Sequence, residues 1–208
     1  MSFSFSFMLS TNHVHQPKVG LLSHHYYHNS KGFEGGFGMP GPDGEFYIVG
    51  VCEGNHCSND KEVRGDAGNG MMVMMKKTVI DTECFWDTVG DGIKIPDTAD
   101  FVDYSDIAVT ASGKVAITSQ ENSAVFIGQL KGIVNGIIDP DEVMFDESKM
   151  RVIEFPKSDV CLTEYCNIEG IEFINDNMLM AASDKMKAGH QPHYCLQKDQ
   201  SVHAFVLP

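Results

Sequence analysis

Acidic side chains recur at matched positions along this chain, and they are the residues best suited to chemistry. Glu34 and Glu169 each precede a glycine near the start of an apolar run, and Glu53 and Asp184 each follow a second apolar run. Carboxylates gathered at one place repel one another unless a cation or basic group lies among them. Their oxygen atoms are the ligands that Ca²⁺ and Mg²⁺ prefer. The pattern therefore indicates a site for one of these two divalent cations.

A structural role for the same acids is the competing interpretation. A glutamate before a glycine can cap a turn by accepting backbone N–H bonds, and no cation is then needed. In the middle of the chain Ser105-Asp106 replaces the Glu-Gly pair, and Glu121 follows the second run. That part of the chain is expected to have lost the acid's role. Both interpretations stay open from the sequence.

The six cysteines offer a second kind of chemistry. Cys52 with Cys57 and Cys161 with Cys166 have a C-x₄-C spacing, which permits zinc sites as well as disulfides. Free buried thiols are the third interpretation. If disulfides form, the preferred pairs are Cys52–Cys57 and Cys166–Cys195, the second because it would close a long loop.

Basic side chains follow Asp184. Lys185, Lys187 and His193 could bind an anionic substrate beside a metal, with a histidine available as a general acid. A solvated loop is the alternative interpretation, since isolated surface charges contribute little.

An internal repeat must position all of these residues. Its three units open at Phe33, Tyr104 and Ile168, and each unit continues with a short turn and further apolar runs. The turns are rich in Gly, Asn and Asp, which tolerate the positive φ of tight hairpins. The runs are rich in β-branched and aromatic residues and have no interior proline. Such a repeat is typical of small antiparallel sheets.

The repeat predicts an all-β fold, a β-propeller-type array of about three four-stranded antiparallel blades. A polar, His-rich leader at 1–31 precedes a partial propeller domain at 32–208, with modules at 32–96, 101–156 and 167–208. The predicted strands are 33–37, 45–52, 71–78, 84–89, 106–110, 114–119, 124–130, 150–155, 170–174, 178–183 and 201–207. Because propellers have about four to eight blades, we expect this one to be incomplete and to self-associate through open blade edges.

The segment Asn167 to Lys185 (NIEGIEFINDNMLMAASDK) carries a family resemblance. It resembles the phytase-like (esterase-like) and SdiA-regulated β-propeller families, which repeat an E-G-[IVL] opener and a strand that ends in Ser-Asp. Module one matches partly and module two only in outline. The resemblance implies a secreted or extracytoplasmic propeller, Ca²⁺ binding, and hydrolysis of phosphate or ester bonds in some members. It carries over no catalytic residue.

Composition narrows the function classes. The formal net charge is −14, from 29 acidic and 15 basic residues, which argues against a nucleic-acid partner. No apolar run approaches the roughly 20 residues that span a bilayer. The first residues lack the basic region of a signal peptide, while an even cysteine count favours an oxidising compartment. A missing natural N-terminus would reconcile these two observations.

Two functions from different classes remain. The first is a binding or scaffold propeller that presents a surface to a small anionic ligand or a protein partner, with a possible divalent-cation site. The second is a metal-assisted hydrolase of phosphate or ester bonds, in which Glu34, Glu53, Glu169 and Asp184 hold a cation or activate water. A site built on the C-x₄-C pairs is the weakest interpretation. The sequence has no nucleophile elbow, P-loop or dinucleotide-binding fingerprint.

Overall fold

The computed structural model describes residues 21–22, 32–54, 70–81, 83–185, 195, 198 and 200–208 of the chain. In that part of the chain the structure is all-β and contains several antiparallel sheets. Within the same residues no helix has the length and apolar character needed to cross a membrane. The predicted all-β class is confirmed.

Five strands form the first sheet: β1 (Leu21–Leu22), β2 (Phe33–Pro40), β3 (Phe46–Cys52), β4 (Met71–Ile80) and β5 (Glu83–Lys94). Strands β2 to β5 pair consecutively and antiparallel, and β1 pairs parallel with the outer strand β5. The methionine-rich β4 is a strand, as predicted, although methionine favours helices in isolation. Its side chains pack alternately on the two faces of the sheet, and this packing outweighs intrinsic propensity.

The second sheet is built around three consecutive strands, β6 (Asp106–Val109), β7 (Lys114–Ser119) and β8 (Ala124–Lys131). A small hairpin, β9 (Ile133–Val134) with β10 (Ile137–Ile138), follows β8. Two further strands then pair with the free side of β8, β11 (Met144–Phe145) and β12 (Arg151–Glu154). The two-residue strands were not predicted, because segments so short carry no periodicity.

The third sheet has three antiparallel strands, β13 (Ile168–Asn175), β14 (Met178–Ser183) and β15 (Val202–Val206). In all three sheets a tight turn joins the first strand to the second. Gly44 and Gly113 supply the left-handed φ values of 78° and 82° in the first two turns. In the third turn the Asn177 N–H donates to the Asn175 side chain at 2.9 Å.

The three sheets stack face to face, with the second in the middle. One side of the second sheet packs on the first sheet, through buried residues that include Val49, Val51, Met72, Ile107, Val115, Ile117 and Phe126. Its other side packs on the third sheet, through Ala116, Val125, Ile127, Ile171, Leu179 and Ala181. Alternate residues of β7 and β8 therefore belong to different clusters, as the period of two in a strand requires.

The two outer sides of this stack differ. On the far side of the first sheet Cys52, Val73 and Met75 are buried in a third cluster. On the far side of the third sheet Ile174, Met180, Val202 and Val206 are exposed.

The first strands of the three sheets lie together. Strand β6 contacts β2 on one side and β13 on the other. No sheet in the described residues closes on itself. The structure therefore shows antiparallel sheets stacked with their first strands adjacent. The described residues do not form the closed ring of a propeller.

Candidate functional site

The strand register identifies three equivalent positions in the repeat. Each lies on the first strand of its sheet, opposite the next-to-last residue of the second strand. The three cross-strand pairs are Gly35 with Val51, Asp106 with Thr118, and Gly170 with Ala182. An acid in the second sheet thus occupies the position that is glycine in the other two.

The side chain of Asp106 fills the space between the three first strands. A Cβ atom built on Gly35 would lie 2.7 Å from the Asp106 Cα and 2.9 Å from the Ile107 nitrogen, and it would overlap the Asp106 carboxylate. Glycine is thus required at position 35 by close approach of backbone to backbone rather than by φ. A Cβ built on Gly170 would meet Oδ2 of Asp106 only at 4.0 Å.

Two backbone donors hold the Asp106 carboxylate. The Ile171 N–H, from the third sheet, donates to Oδ2 at 2.7 Å, and the Ile107 N–H donates to Oδ1 at 2.8 Å. Burial raises the pKa of Asp106 from 3.8 to about 6, and the nearby Glu172 charge acts in the same direction. The two N–H bonds oppose this rise because they favour the carboxylate.

Glu34 and Glu169 occupy matching irregularities beside this position. The register of β2 with β3 shifts between Phe33 and Gly35, and that of β13 with β14 shifts between Ile168 and Gly170. Each glutamate is the residue inside the shift, and each is exposed. A bulge of this kind turns one side chain out of the regular alternation. Oε1 of Glu169 also accepts a hydrogen bond from the Asn167 amide at 3.0 Å.

Glu53 and Asp184 are also equivalent. The Glu53 N–H donates to the Gly32 carbonyl at 3.2 Å, and the Asp184 N–H donates to the Asn167 carbonyl at 3.1 Å. The Asp184 carboxylate accepts its own neighbour's N–H, from Lys185, at 2.6 Å. That contact is a local turn of the kind the structural interpretation expects.

The register places Glu34 and Glu53 at one end of the first sheet, and Glu169 and Asp184 at the equivalent end of the third sheet. Among the described residues, no group of three or more His, Cys, Asp and Glu side chains is arranged to hold a metal ion. The predicted cation site at Glu34, Glu53, Glu169 and Asp184 therefore stays a prediction, as does the Ca²⁺ cofactor.

The second sheet has a buried polar network in place of the glutamate pair. Asp103 is 4% exposed and accepts hydrogen bonds from the hydroxyls of Ser105, at 3.0 Å, and Ser119. The Glu121 N–H also donates to Asp103, at 3.1 Å, and the Gln120 N–H donates to Ser105 Oγ at 3.0 Å. By strand register Gln120, rather than Glu121, follows the second strand at the position equivalent to Glu53 and Asp184.

The roles of Asp103 and Asp106 were not predicted. The departure of Ser105-Asp106 from the Glu-Gly pattern is the one signal in the sequence, and the loss of the acid's role that it suggests stays a prediction. The structure shows a contact at this position that the pattern did not indicate, because Asp106 accepts a hydrogen bond from the neighbouring sheet.

The cysteines form the disulfide Cys166–Cys195, which confirms that preferred pairing. Cys52 is also disulfide-bonded, and its predicted partner, Cys57, lies outside the described residues. Cys161 and Cys84 are free. Since Cys166 is in a disulfide, the Cys161–Cys166 pair does not form the zinc site that its spacing permits.

The predicted anion-binding residues are only partly described. Lys185 is exposed beside Asp184, while Lys187 and His193 lie outside the described residues. A hydroxyl–imidazole pair that was not predicted lies nearby, with Ser201 Oγ 2.7 Å from His203 Nε2. Ser201 Oγ also donates to the Lys198 carbonyl at 2.5 Å. Because the hydroxyl proton is directed to that carbonyl, the imidazole is placed as a donor to the oxygen rather than as its base.

No family model matches this sequence, and no curated protein or solved structure matches it either. The resemblance to phytase-like propellers and the hydrolase activity it implies therefore stay predictions.

Proposed function

We propose that this chain is a non-catalytic binding module of β-propeller type, which recognises a cationic group at the end of the sheets where the first strands begin. The observation that carries the proposal is the packing at Asp106. One carboxylate contacts the first strands of both neighbouring sheets, so the three equivalent positions lie at one level. Glu34 and Glu169, which precede two of those positions, therefore lie at the same end of their sheets.

Charge supports a cation as the ligand. Glu53 and Asp184 follow the second strands at this same end, because the second of two antiparallel strands ends beside the start of the first. Glu172 lies close enough to raise the pKa of Asp106. A surface where one sign of charge dominates concentrates counter-ions of the other sign. Carboxylate oxygens suit Ca²⁺ best among common divalent cations, so Ca²⁺ is the first probe.

The stack supports the propeller assignment. Propeller blades are small antiparallel sheets whose first strands lie around a common axis and whose faces pack on their neighbours. The three sheets here share face-to-face packing and adjacent first strands. The Cys166–Cys195 disulfide supports a secreted or extracytoplasmic location, since disulfides persist in oxidising compartments.

A thermal melt with Ca²⁺, and again after a chelator, tests the proposal. A ligand that binds only the native state stabilises it by about 2.7 kcal/mol at a hundred times its dissociation constant, which for a chain of this size is roughly 5 to 10 °C. We expect a rise of that order, reversed by the chelator. Glu169→Gln should remove at least half of the rise.

Glu147→Gln is the matched control, since Glu147 is an exposed glutamate in a turn of the second sheet. It should leave the Ca²⁺ response unchanged. A melting temperature that does not respond to Ca²⁺ in the parent chain would contradict the cation proposal and leave the acids as turn caps.

A further inference from the structure

Strand β15 forms an open edge of the third sheet. In the described part of the chain it pairs with β14 alone. The Ser201 carbonyl accepts from the Ser183 N–H, and the Leu207 N–H donates to the Asn177 carbonyl. The odd-numbered residues of this segment therefore point their backbone groups toward β14. Because the direction alternates along a strand, Val202, Ala204 and Val206 point their N–H and C=O groups to the open side.

The same three residues are exposed on the outer face. Val202 is 63% exposed and Val206 is 75% exposed, and Ala204 between them is exposed as well. The alternate residues His203 and Phe205 face inward and contact the Tyr165 ring. Among the described residues, this edge thus combines backbone groups that pair with no other strand and apolar side chains that are exposed.

Within the described residues, the last strands of the other two sheets have protected edges, whereas no described segment covers the edge of β15. Natural sheets guard their edges with charges, prolines or a covering segment. Strand β12 carries Arg151 and Glu154, and β5 is acidic and covered at one end by β1. The β15 sequence VHAFV contains neither a charged residue nor a proline.

The β15 sequence is also complementary to itself. When two copies run antiparallel about a two-fold axis at Ala204, Val202 faces Val206 and His203 faces Phe205 of the other copy. Each of the pairs formed by Val202, Ala204 and Val206 then exchanges both backbone hydrogen bonds, about six in all. We propose that two copies of this chain associate through β15 in this register, joining their third sheets into one six-stranded sheet.

A comparison of the first and third sheets favours a second copy of this chain as the partner of the β15 edge. Head-to-tail association would need an open acceptor at the first sheet, but there the far side is buried and β1 covers part of the outer strand. An isologous contact needs one surface only and closes by symmetry. The edge is short and the chain has a net charge of −14, so we expect a weak dimer that strengthens with salt.

A cysteine at the two-fold axis tests the register. In the Cys84→Ser/Cys161→Ser background, Ala204→Cys places two thiols opposite each other, at a Cα separation of about 5.5 Å that suits a disulfide. With oxidised glutathione as the oxidant, we expect most of the chain to run at twice its mass on a non-reducing gel. Ile174→Cys is the control, exposed on the same face but two strands from the edge. It should cross-link at least tenfold more slowly.

Equal cross-linking of both variants would overturn the edge register in favour of face-to-face packing. Sedimentation tests the association independently of any thiol. The parent chain should show a dimer that increases with concentration, and Ala204→Lys, which places like charges opposite each other, should remain monomeric. Met180→Lys carries the same charge one strand inward and should still dimerise. A parent chain that stays monomeric at every concentration and does not cross-link would refute the proposal.

Discussion

The second sheet meets its two neighbours in different ways, although both contacts involve Asp106. Toward the first sheet the contact is steric, since Gly35 lies directly against the Asp106 backbone. Toward the third sheet the contact is a hydrogen bond, from the Ile171 N–H to Oδ2 at 2.7 Å, and Gly170 has room to spare. Two glycines at equivalent positions of the repeat therefore do different things. A repeat in sequence does not imply an equal role for each copy.

Alanine at the two glycines gives the largest expected difference. Neither glycine has a left-handed φ, so backbone strain is equal and small in the two variants. Gly35→Ala forces a Cβ against backbone atoms that cannot move separately, and we expect a loss of about 3 kcal/mol or more in the free energy of unfolding. Gly170→Ala adds a Cβ at 3.6 Å from the Ala182 side chain, an ordinary contact. We expect it to change stability by less than about 1 kcal/mol.

Urea denaturation of both variants measures this comparison. A similar loss of stability in Gly35→Ala and Gly170→Ala would show that Asp106 packs equally closely against the first and third sheets, contrary to the asymmetry described above.

The glycine pair also shows what the sequence could and could not predict. Strand positions were predictable because alternation and turn residues are local: Gly44 and Gly113 lie in the expected turns with the expected positive φ. The closeness of Gly35 to Asp106 was not predictable, because it depends on how a strand about seventy residues away packs. The repeat located the matched acids, yet distances between side chains on different sheets leave no trace in sequence. The buried Asp103 network was hidden for the same reason.

Protonation of Asp106 gives the next largest effect. Its folded pKa of about 6 lies above its usual value, so the native state binds this proton more tightly than the unfolded chain does. The cost of burying the charge is fully present above pH 7 and is relieved as the pH falls through 6 toward 4. Asp106→Asn removes this titration. We expect the parent chain to gain at most about 2 kcal/mol relative to the variant between pH 7.5 and 4.5, and less where solvent reaches the carboxylate.

Comparing the two chains cancels the titration of surface groups such as Glu45 and Asp97, whose pKa values are lowered by Lys76 and Lys94. Denaturation midpoints at several pH values provide the measurement. A stability difference between the two chains that stays constant with pH would mean that the pKa of Asp106 is not raised. Water would then reach its carboxylate between the sheets.

The smallest effect concerns a second polar contact between the second and third sheets. The Ser123 hydroxyl is buried and donates to the Tyr165 carbonyl at 2.6 Å. Ser123→Ala leaves that carbonyl without this donor, and we expect a loss of about 1 to 2 kcal/mol at unchanged denaturant dependence. Ser148→Ala is the control, because its hydroxyl bonds to Asp146 in an exposed turn and its loss should stay under about 0.5 kcal/mol. Equal losses in the two variants would mean that the buried bond does not hold the third sheet.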